Sequence, residues 1–223
     1  MEYPRNLPIS QKDREDRERD YLDQEKREQE ESLRKRLNLP PRFSKCTLNN
    51  FDPMMQITAE KSAKDYIEKY DKKTSKGLYF YGHAGSGKTH LVASIGNALI
   101  EKARPRFVSV PELLLRLKKG FSDNHDEYLD TISYTQLLIL DDIGSEKPTE
   151  WVQEILFVII DRRYTNFLPT LFTSNLSLDQ LKDRLGRRIA SRIAEMSEVV
   201  ELRPSDYRIR KNKDEESKIK ESG

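Results

Sequence analysis

Gly82-His83-Ala84-Gly85-Ser86-Gly87-Lys88-Thr89 satisfies G-x-x-x-x-G-K-[ST] at every fixed position, the pattern of a loop that wraps the phosphates of a nucleoside triphosphate. The residue types supply the chemistry. Glycine reaches positive φ without a Cβ clash, so successive amide N–H groups can converge on phosphate oxygens. A helix that starts after the loop turns its positive end toward the same anion. Lys88 is then expected to reach the β and γ phosphates, and the Thr89 hydroxyl to ligate Mg²⁺. The expected cofactor site runs from Gly82 through His90, with His83 an exposed, variable position of the loop rather than a catalytic one.

Asp141 lies 53 residues after Lys88 and closes Leu137-Leu138-Ile139-Leu140-Asp141-Asp142, an aliphatic run that ends in two acids. Consecutive branched aliphatics indicate a strand buried on both faces, and ligands bind at the carboxyl ends of such strands. Asp141 is therefore the candidate to hold Mg²⁺, commonly through its waters, and Asp142 to orient or deprotonate the attacking water. A third apolar strand, Leu171-Phe172-Thr173-Ser174-Asn175, runs into an amide. Asn175 either bonds the γ-phosphate or the water, or simply forms a turn. Further on, Arg188 and Arg192 stand four residues apart and so share one helix face. Such a guanidinium can stabilise transition-state charge at a neighbouring subunit's γ-phosphate; a solvated basic face is the alternative.

These residues need a framework. Strands are expected at Leu78–Tyr81, Arg106–Val110, Leu137–Asp141, Thr170–Thr173 and Val199–Leu202, and helices at Thr89–Lys102, Glu112–Lys119, Glu150–Tyr164 and Leu178–Met196. A further helix around Thr58–Lys72 has Ile57, Ala63, Tyr66, Ile67 and Tyr70 at roughly helical spacing. Alternation of this kind predicts an α/β fold with a five-stranded, mostly parallel sheet flanked by helices. Pro111 suits a first helical position and Thr149 an N-cap.

The 223 residues are 35% charged and 35% hydrophobic, an apolar share below that of an ordinary globular chain. The deficit concentrates at the start, where residues 1–45 hold 12 Lys/Arg and 11 Asp/Glu. Three units are expected: a charged, helical or partly disordered arm over residues 1–45, an ATPase domain over residues 46–210, and a charged tail over residues 211–223. Leu39-Pro40-Pro41 should end the arm. With a net charge of +2, bulk electrostatics gives no reason to expect nucleic-acid binding. One cysteine, Cys46, excludes an intramolecular disulfide framework. No apolar run approaches the roughly 20 residues of a membrane span, and no secretory signal is expected at the start. A cytoplasmic protein is the default expectation.

Gly82–Thr89, Leu137–Gly144, Thr173–Asn175, Ser191-Arg192-Ile193 and Asp206-Tyr207-Arg208 together resemble the bacterial and phage helicase-loader branch of AAA+ P-loop ATPases, the DnaC and DnaI type. The closely similar IstB transposition ATPases share the set. The likeness extends from about Pro40 to Arg210 and includes Leu39-Pro40-Pro41-Arg42-Phe43 leading to Asn50-Phe51-Asp52, which is similar to the linker before the ATPase domain there. The resemblance implies that Lys88 and Thr89 are Walker A contacts, Asp141 and Asp142 the Walker B acids, Asn175 sensor 1, and Arg192 the arginine finger. Arg208, or Arg210 two residues on, would contact the nucleotide from its own subunit. Many AAA+ enzymes carry Glu where this chain has Asp142; the shorter side chain implies a switch rather than a motor.

The resemblance also implies single-stranded DNA lining the inside of an ATP-dependent homo-oligomer. The matching stretch, Arg116 to Ser122, offers Lys118, Lys119 and Phe121 as cations and a stacking platform. The first functional expectation is thus a DNA-replication accessory ATPase that holds a hexameric replicative helicase through residues 1–45. An IstB-type regulator of a transposase, an interaction protein with negligible hydrolysis and a small-molecule kinase are the alternatives.

Overall fold

The computed structural model describes residues 11–51, 56–71, 76–118 and 125–202. Five strands, β1 (Gly77–Gly82), β2 (Arg106–Ser109), β3 (Leu138–Asp141), β4 (Thr170–Ser174) and β5 (Ser197–Leu202), form one sheet in the order β2-β3-β4-β1-β5. Every adjacent pair is parallel, so the expected five-stranded α/β sheet is present. Parallel neighbours require crossovers, and these are supplied by α3 (Lys88–Ala98) and α4 (Ile100–Ala103), α5 (Val110–Lys118) and α6 (His125–Ser133), α7 (Glu150–Thr165), and α8 (Leu178–Leu185) with α9 (Arg187–Met196). Preceding them are α1 (Gln11–Leu37) and α2 (Ile57–Lys69).

Period-two alternation divides the core between the two sheet faces. Tyr79, Leu138, Leu140 and Phe172 face α5, α7, α8 and α9. Leu78, Phe80, Ile139 and Leu171 face α2 and α3. All eight are buried, which is why β3 reads as a continuous apolar run and β1 and β4 place adjacent apolar residues on both faces. Thr149 caps α7 as expected, its side chain accepting from the Val152 N–H, and Pro111 falls in the first turn of α5.

Several expectations are corrected. The helix expected over Leu178–Met196 is two helices, because Gly186 at φ 97° breaks it between α8 and α9. Likewise Thr89–Lys102 divides at Leu99, whose φ of −100° ends α3. Helix α6 was not anticipated, although Leu129 and Ile132 at helical spacing are buried in it. Val110 begins α5 instead of ending β2, and Ile57 is 74% exposed at the start of α2 instead of contributing to the core.

The arm is helical through Leu37 and ends at Asn38, which adopts φ 57° and donates its N–H to the Arg34 carbonyl. Its last turn is docked: Leu37 is buried in the α2–α3 layer. Gly96 makes the approach possible, since a Cβ there would stand 3.3 Å from Leu37 Cδ1 and 2.9 Å from Ile139 Cδ1. Farther out, α1 is exposed, with Glu31–Lys35 an ion pair at 2.8 Å. Among the described residues no helix is long and apolar enough to cross a membrane.

At the sheet edge opposite the Gly82–Thr89 loop, Arg163 at the end of α7 is fully buried. Its Nε donates to Thr170 Oγ1 (2.7 Å), and its terminal nitrogens donate to the carbonyls of Ser133 (2.9 Å), Thr135 (2.8 Å) and Pro169 (2.7 Å). Burial depresses its pKa to about 9, yet the backbone bonds fix the two loops that lead into β3 and β4. Replacing Arg163 by Ala would leave those carbonyls without a donor. Arg163→Ala is expected to lower stability by roughly 3 kcal/mol or more, with Arg163→Lys recovering only a minor part because an ammonium lacks the fork; urea unfolding midpoints measure both.

Candidate nucleotide site

Strand order builds the site. Placing β4 between β1 and β3 brings the loop after β1, the amide after β4 and the acids at the tip of β3 to one edge of the sheet. Gly85 and Gly87 adopt φ 82° and 93°, and α3 begins at Lys88 with the Leu91 N–H bonded to the Gly87 carbonyl at 3.0 Å. Gly87 is constrained twice, since a Cβ would also stand 2.7 Å from Phe51 Cε2. The loop, as the sequence implied, therefore lies between a buried strand and a helix N-terminus. Ser86 Oγ within it is buried without a protein partner.

Lys88 is buried, with 7% of its surface exposed. Its Nζ donates to the carbonyls of Gly82 and His83 at 2.8 Å each and to Asn175 Oδ1 at 3.0 Å. The other end of the Asn175 amide, Nδ2, donates to Asp142 Oδ1 at 3.2 Å. One exposed amide thus spans the ammonium and the carboxylate, its oxygen toward the cation and its NH₂ toward the anion.

Asp141 Oδ1 accepts from Thr89 Oγ1 (3.0 Å) and from Thr173 Oγ1 (2.7 Å). Burial pushes its carboxyl above the usual range; the Thr173 and Thr89 hydroxyls oppose that, Asp142 adds to it and Lys88 counters it. A hydroxyl and a carboxylate oxygen in contact suit a small, hard cation such as Mg²⁺, which takes few protein ligands and keeps phosphate and water for the rest. The orphaned Ser86 hydroxyl and the positive-φ loop likewise suit a phosphate chain.

Asp142 adopts φ 61°. Its N–H donates to Thr173 Oγ1 at 2.8 Å, so Thr173 serves both acids. The sequence names Thr173 only within the Thr173–Asn175 motif and assigns it no role; it is one of three buried polar residues of β4, with Thr170 and Ser174. His90, expected at the cofactor as the residue after the motif, turns its ring elsewhere: Nδ1 lies 3.4 Å from Cys46 Sγ and Nε2 3.0 Å from the Thr47 carbonyl. Its ring also tilts against Phe51, with centroids 5.4 Å apart.

Arg192 lies on α9 but is engaged within its own subunit. Its guanidinium pairs with Asp161 at 2.7 Å and sits over the rings of Phe157 and Tyr164 at 4.7 and 5.6 Å. Arg188, one turn earlier, is exposed. Lys118 is exposed at the end of α5, and Arg116 stacks on Tyr128 at 4.1 Å. Lys119, Phe121, Arg208, Arg210 and the tail lie outside the described residues.

A family model of IstB-like ATP binding proteins matches residues 14–215. The replicative helicase loader DnaI of Bacillus subtilis is 36% identical over 167 residues, which cover 72% of this chain and 53% of DnaI; the chain thus spans about half the length of that relative. A crystal structure of the DnaC helicase loader superposes with a TM-score of 0.67 at 32% identity, covering 73% of this chain and 99% of that one. The AMPPCP-bound DnaA of Aquifex aeolicus has the same fold, with a TM-score of 0.63 at 24% identity over 74% of this chain and 51% of DnaA.

Because the Asp141 carboxyl is raised by burial, the native chain binds a proton there at a pH where the unfolded chain does not. Ionisation thus opposes folding, and the stability contributed by the neutral form grows as pH falls through the raised pKa. Asp141→Asn keeps an oxygen for Thr89 and Thr173 and removes the charge. Its melting temperature without nucleotide at pH 7 is expected to exceed that of the wild type, the gap narrowing on acidification; calorimetry at several pH values measures it.

Proposed function

The chain belongs to the family of IstB-like ATP binding proteins, and from that premise we propose that it is a Mg²⁺-dependent ATPase that loads a replicative helicase during DNA replication. The observation that carries the hydrolytic part is the continuous chain Lys88–Asn175–Asp142. It aligns a phosphate-seeking ammonium, a polar amide and a carboxylate across three adjacent strand tips. Lys88 and the loop amides bind the β and γ phosphates of ATP. Thr89 and Asp141 hold Mg²⁺, which neutralises charge on the phosphate oxygens. Asp142 accepts a proton from, or orients, the attacking water, and Asn175 fixes that water against the γ-phosphate. As Asp142 is one methylene shorter than Glu, turnover is slow and nucleotide state acts as a switch.

Similarity to DnaI and DnaC supports the loading role, and α1 gives it a physical means. Across the described part of α1, Tyr21 and Leu22 are large apolar side chains left 67% and 56% exposed, on a helix anchored to the ATPase core at Leu37. An exposed apolar pair on a charged helix suits docking into a groove of a helicase. Single-stranded DNA then passes Lys118, Lys119 and Phe121. In an ATP-dependent homo-oligomer, Arg192, or Arg188 one turn before it, approaches the γ-phosphate of the neighbouring subunit, and Arg208 contacts its own.

Lys88→Ala is expected to weaken Mg·ATP binding by about tenfold to a hundredfold, from the loss of charge-assisted bonds, measured by titration calorimetry. With candidate hexameric helicases in Mg·ATP, the full chain is expected to co-elute as one complex. The double variant Tyr21→Ala, Leu22→Ala should weaken that complex by about tenfold and leave ATP binding unaltered. Co-elution with a transposase and with no helicase would overturn the loading role.

A further inference from the structure

We infer that Glu146, braced by Arg184, is a positioning residue for Asp142: it holds the turn after β3 in the conformation that aims the Asp142 carboxylate at Asn175. The inference rests on the reading of Asp142 as the residue that handles the attacking water.

The turn is unusual in its backbone. Asp142 and Gly144 adopt φ 61° and 86°, and an L-residue enters that region only against steric resistance. Strain of this kind persists when surrounding bonds over-determine it, and here they do. The Asp142 N–H is taken by Thr173 Oγ1 and its carbonyl by Ser145 Oγ, each at 2.8 Å. The Ile143 N–H donates to the Thr173 carbonyl (2.9 Å), and the Ile143 carbonyl accepts from Ser174 Oγ (2.6 Å). The Gly144 N–H is taken by the side chain of Glu146, two residues on. Both its carboxylate oxygens accept from the Gly144 N–H, at 3.2 and 3.1 Å.

Most glutamates at a loop point into water. This one folds back over its own turn and is half-buried. The Glu146 carbonyl is gripped from α8, where the Arg184 guanidinium donates to it at 2.8 Å and reaches the Ser145 carbonyl at 3.5 Å. Burial pushes the Glu146 carboxyl above the usual carboxylate range, and the backbone N–H bonds and the Arg184 guanidinium oppose that rise. A bulkier residue at Gly144 would be strained at φ 86° and would press its Cβ to 2.8 Å from Leu181 Cδ1 and 3.0 Å from Leu176 Cδ1. The brace also ties the acid to the helix pair α8–α9, on which Arg188 and Arg192 lie.

The test is steady-state ATP hydrolysis by the full chain, with nucleotide affinity measured separately by titration calorimetry. Glu146→Ala is expected to lower kcat by about tenfold to a hundredfold, the scale of a misplaced catalytic group, with KM and the Mg·ATP Kd within about twofold. Glu146→Gln, which keeps one acceptor oxygen, should restore most of kcat. Arg184→Ala should fall between the two. Unchanged kcat in Glu146→Ala, in a chain where Asp142→Asn abolishes hydrolysis, overturns the positioning role and leaves Asp142 standing. Full hydrolysis by Asp142→Asn instead overturns the reading of Asp142 itself. A Glu146→Ala chain that loses nucleotide affinity in proportion to kcat marks Glu146 as merely structural. If that variant does not fold, Glu146→Asp, too short to reach Gly144 with both oxygens, replaces it, and unchanged kcat there overturns the inference as well.

Discussion

A single side-chain amide holds opposite charges in register at the centre of this protein. Asn175 accepts from Lys88 and donates to Asp142, and neither end can be reversed without setting a donor against the ammonium or an acceptor against the carboxylate. The arrangement requires β4 to lie between β1 and β3, with all three strand tips level. It therefore depends on the parallel register that pairs Tyr81 with Ser174 and Leu140 with Phe172. A shift of one residue would turn every inward side chain outward and carry Asn175 off the site.

Rigidity and strain occupy opposite ends of the sheet. Below, the Arg163 guanidinium binds loop carbonyls in a fully buried setting. Above, the backbone takes positive φ at Gly85, Gly87 and Gly144, where glycine allows it, and at Asp142, where a Cβ makes it costly. The two apolar layers between them, one on each face of the sheet, let the upper loops hold unfavourable conformations, since packing energy elsewhere offsets the local cost.

The segment between arm and core is also fastened to the site. Phe51 rests against Gly87, the His90 ring joins Cys46 and Thr47, and the Asn97 side chain donates to the Cys46 carbonyl at 2.9 Å. Helix α3 thus carries Lys88 at its first residue and the anchor of the N-terminal linker on its next turns. The exposed part of α1 is connected through this linker, with Leu37 as a second attachment. A change in the loop on nucleotide binding would meet the linker directly, without crossing the sheet.

Much of this was legible in the sequence because its causes are local. A glycine-rich loop followed by Lys-Thr, an aliphatic run closed by two acids, and an apolar strand closed by Asn each specify strand, turn and polar tip within a few residues. Parallel alternation followed from strands separated by helical lengths. Failures arose where the deciding partner is distant or the signal is a single residue. Gly186 breaks a continuous apolar period, Leu37 is charged-arm by composition and core by contact, and His90 directly follows the motif yet turns its ring to Cys46 and Thr47. The residue types alone pointed to a glycine-rich loop, a pair of acids and an amide-tipped strand as parts of one site. Strand order and the fold of the turn after β3 decided that Asn175 joins Lys88 to Asp142, that Thr173 serves both acids, that Glu146 closes on Gly144, and that Arg192 meets Asp161. Those contacts depend on residues brought together from separate elements, or on a backbone turn that neighbouring elements hold in place, and no local rule encodes either.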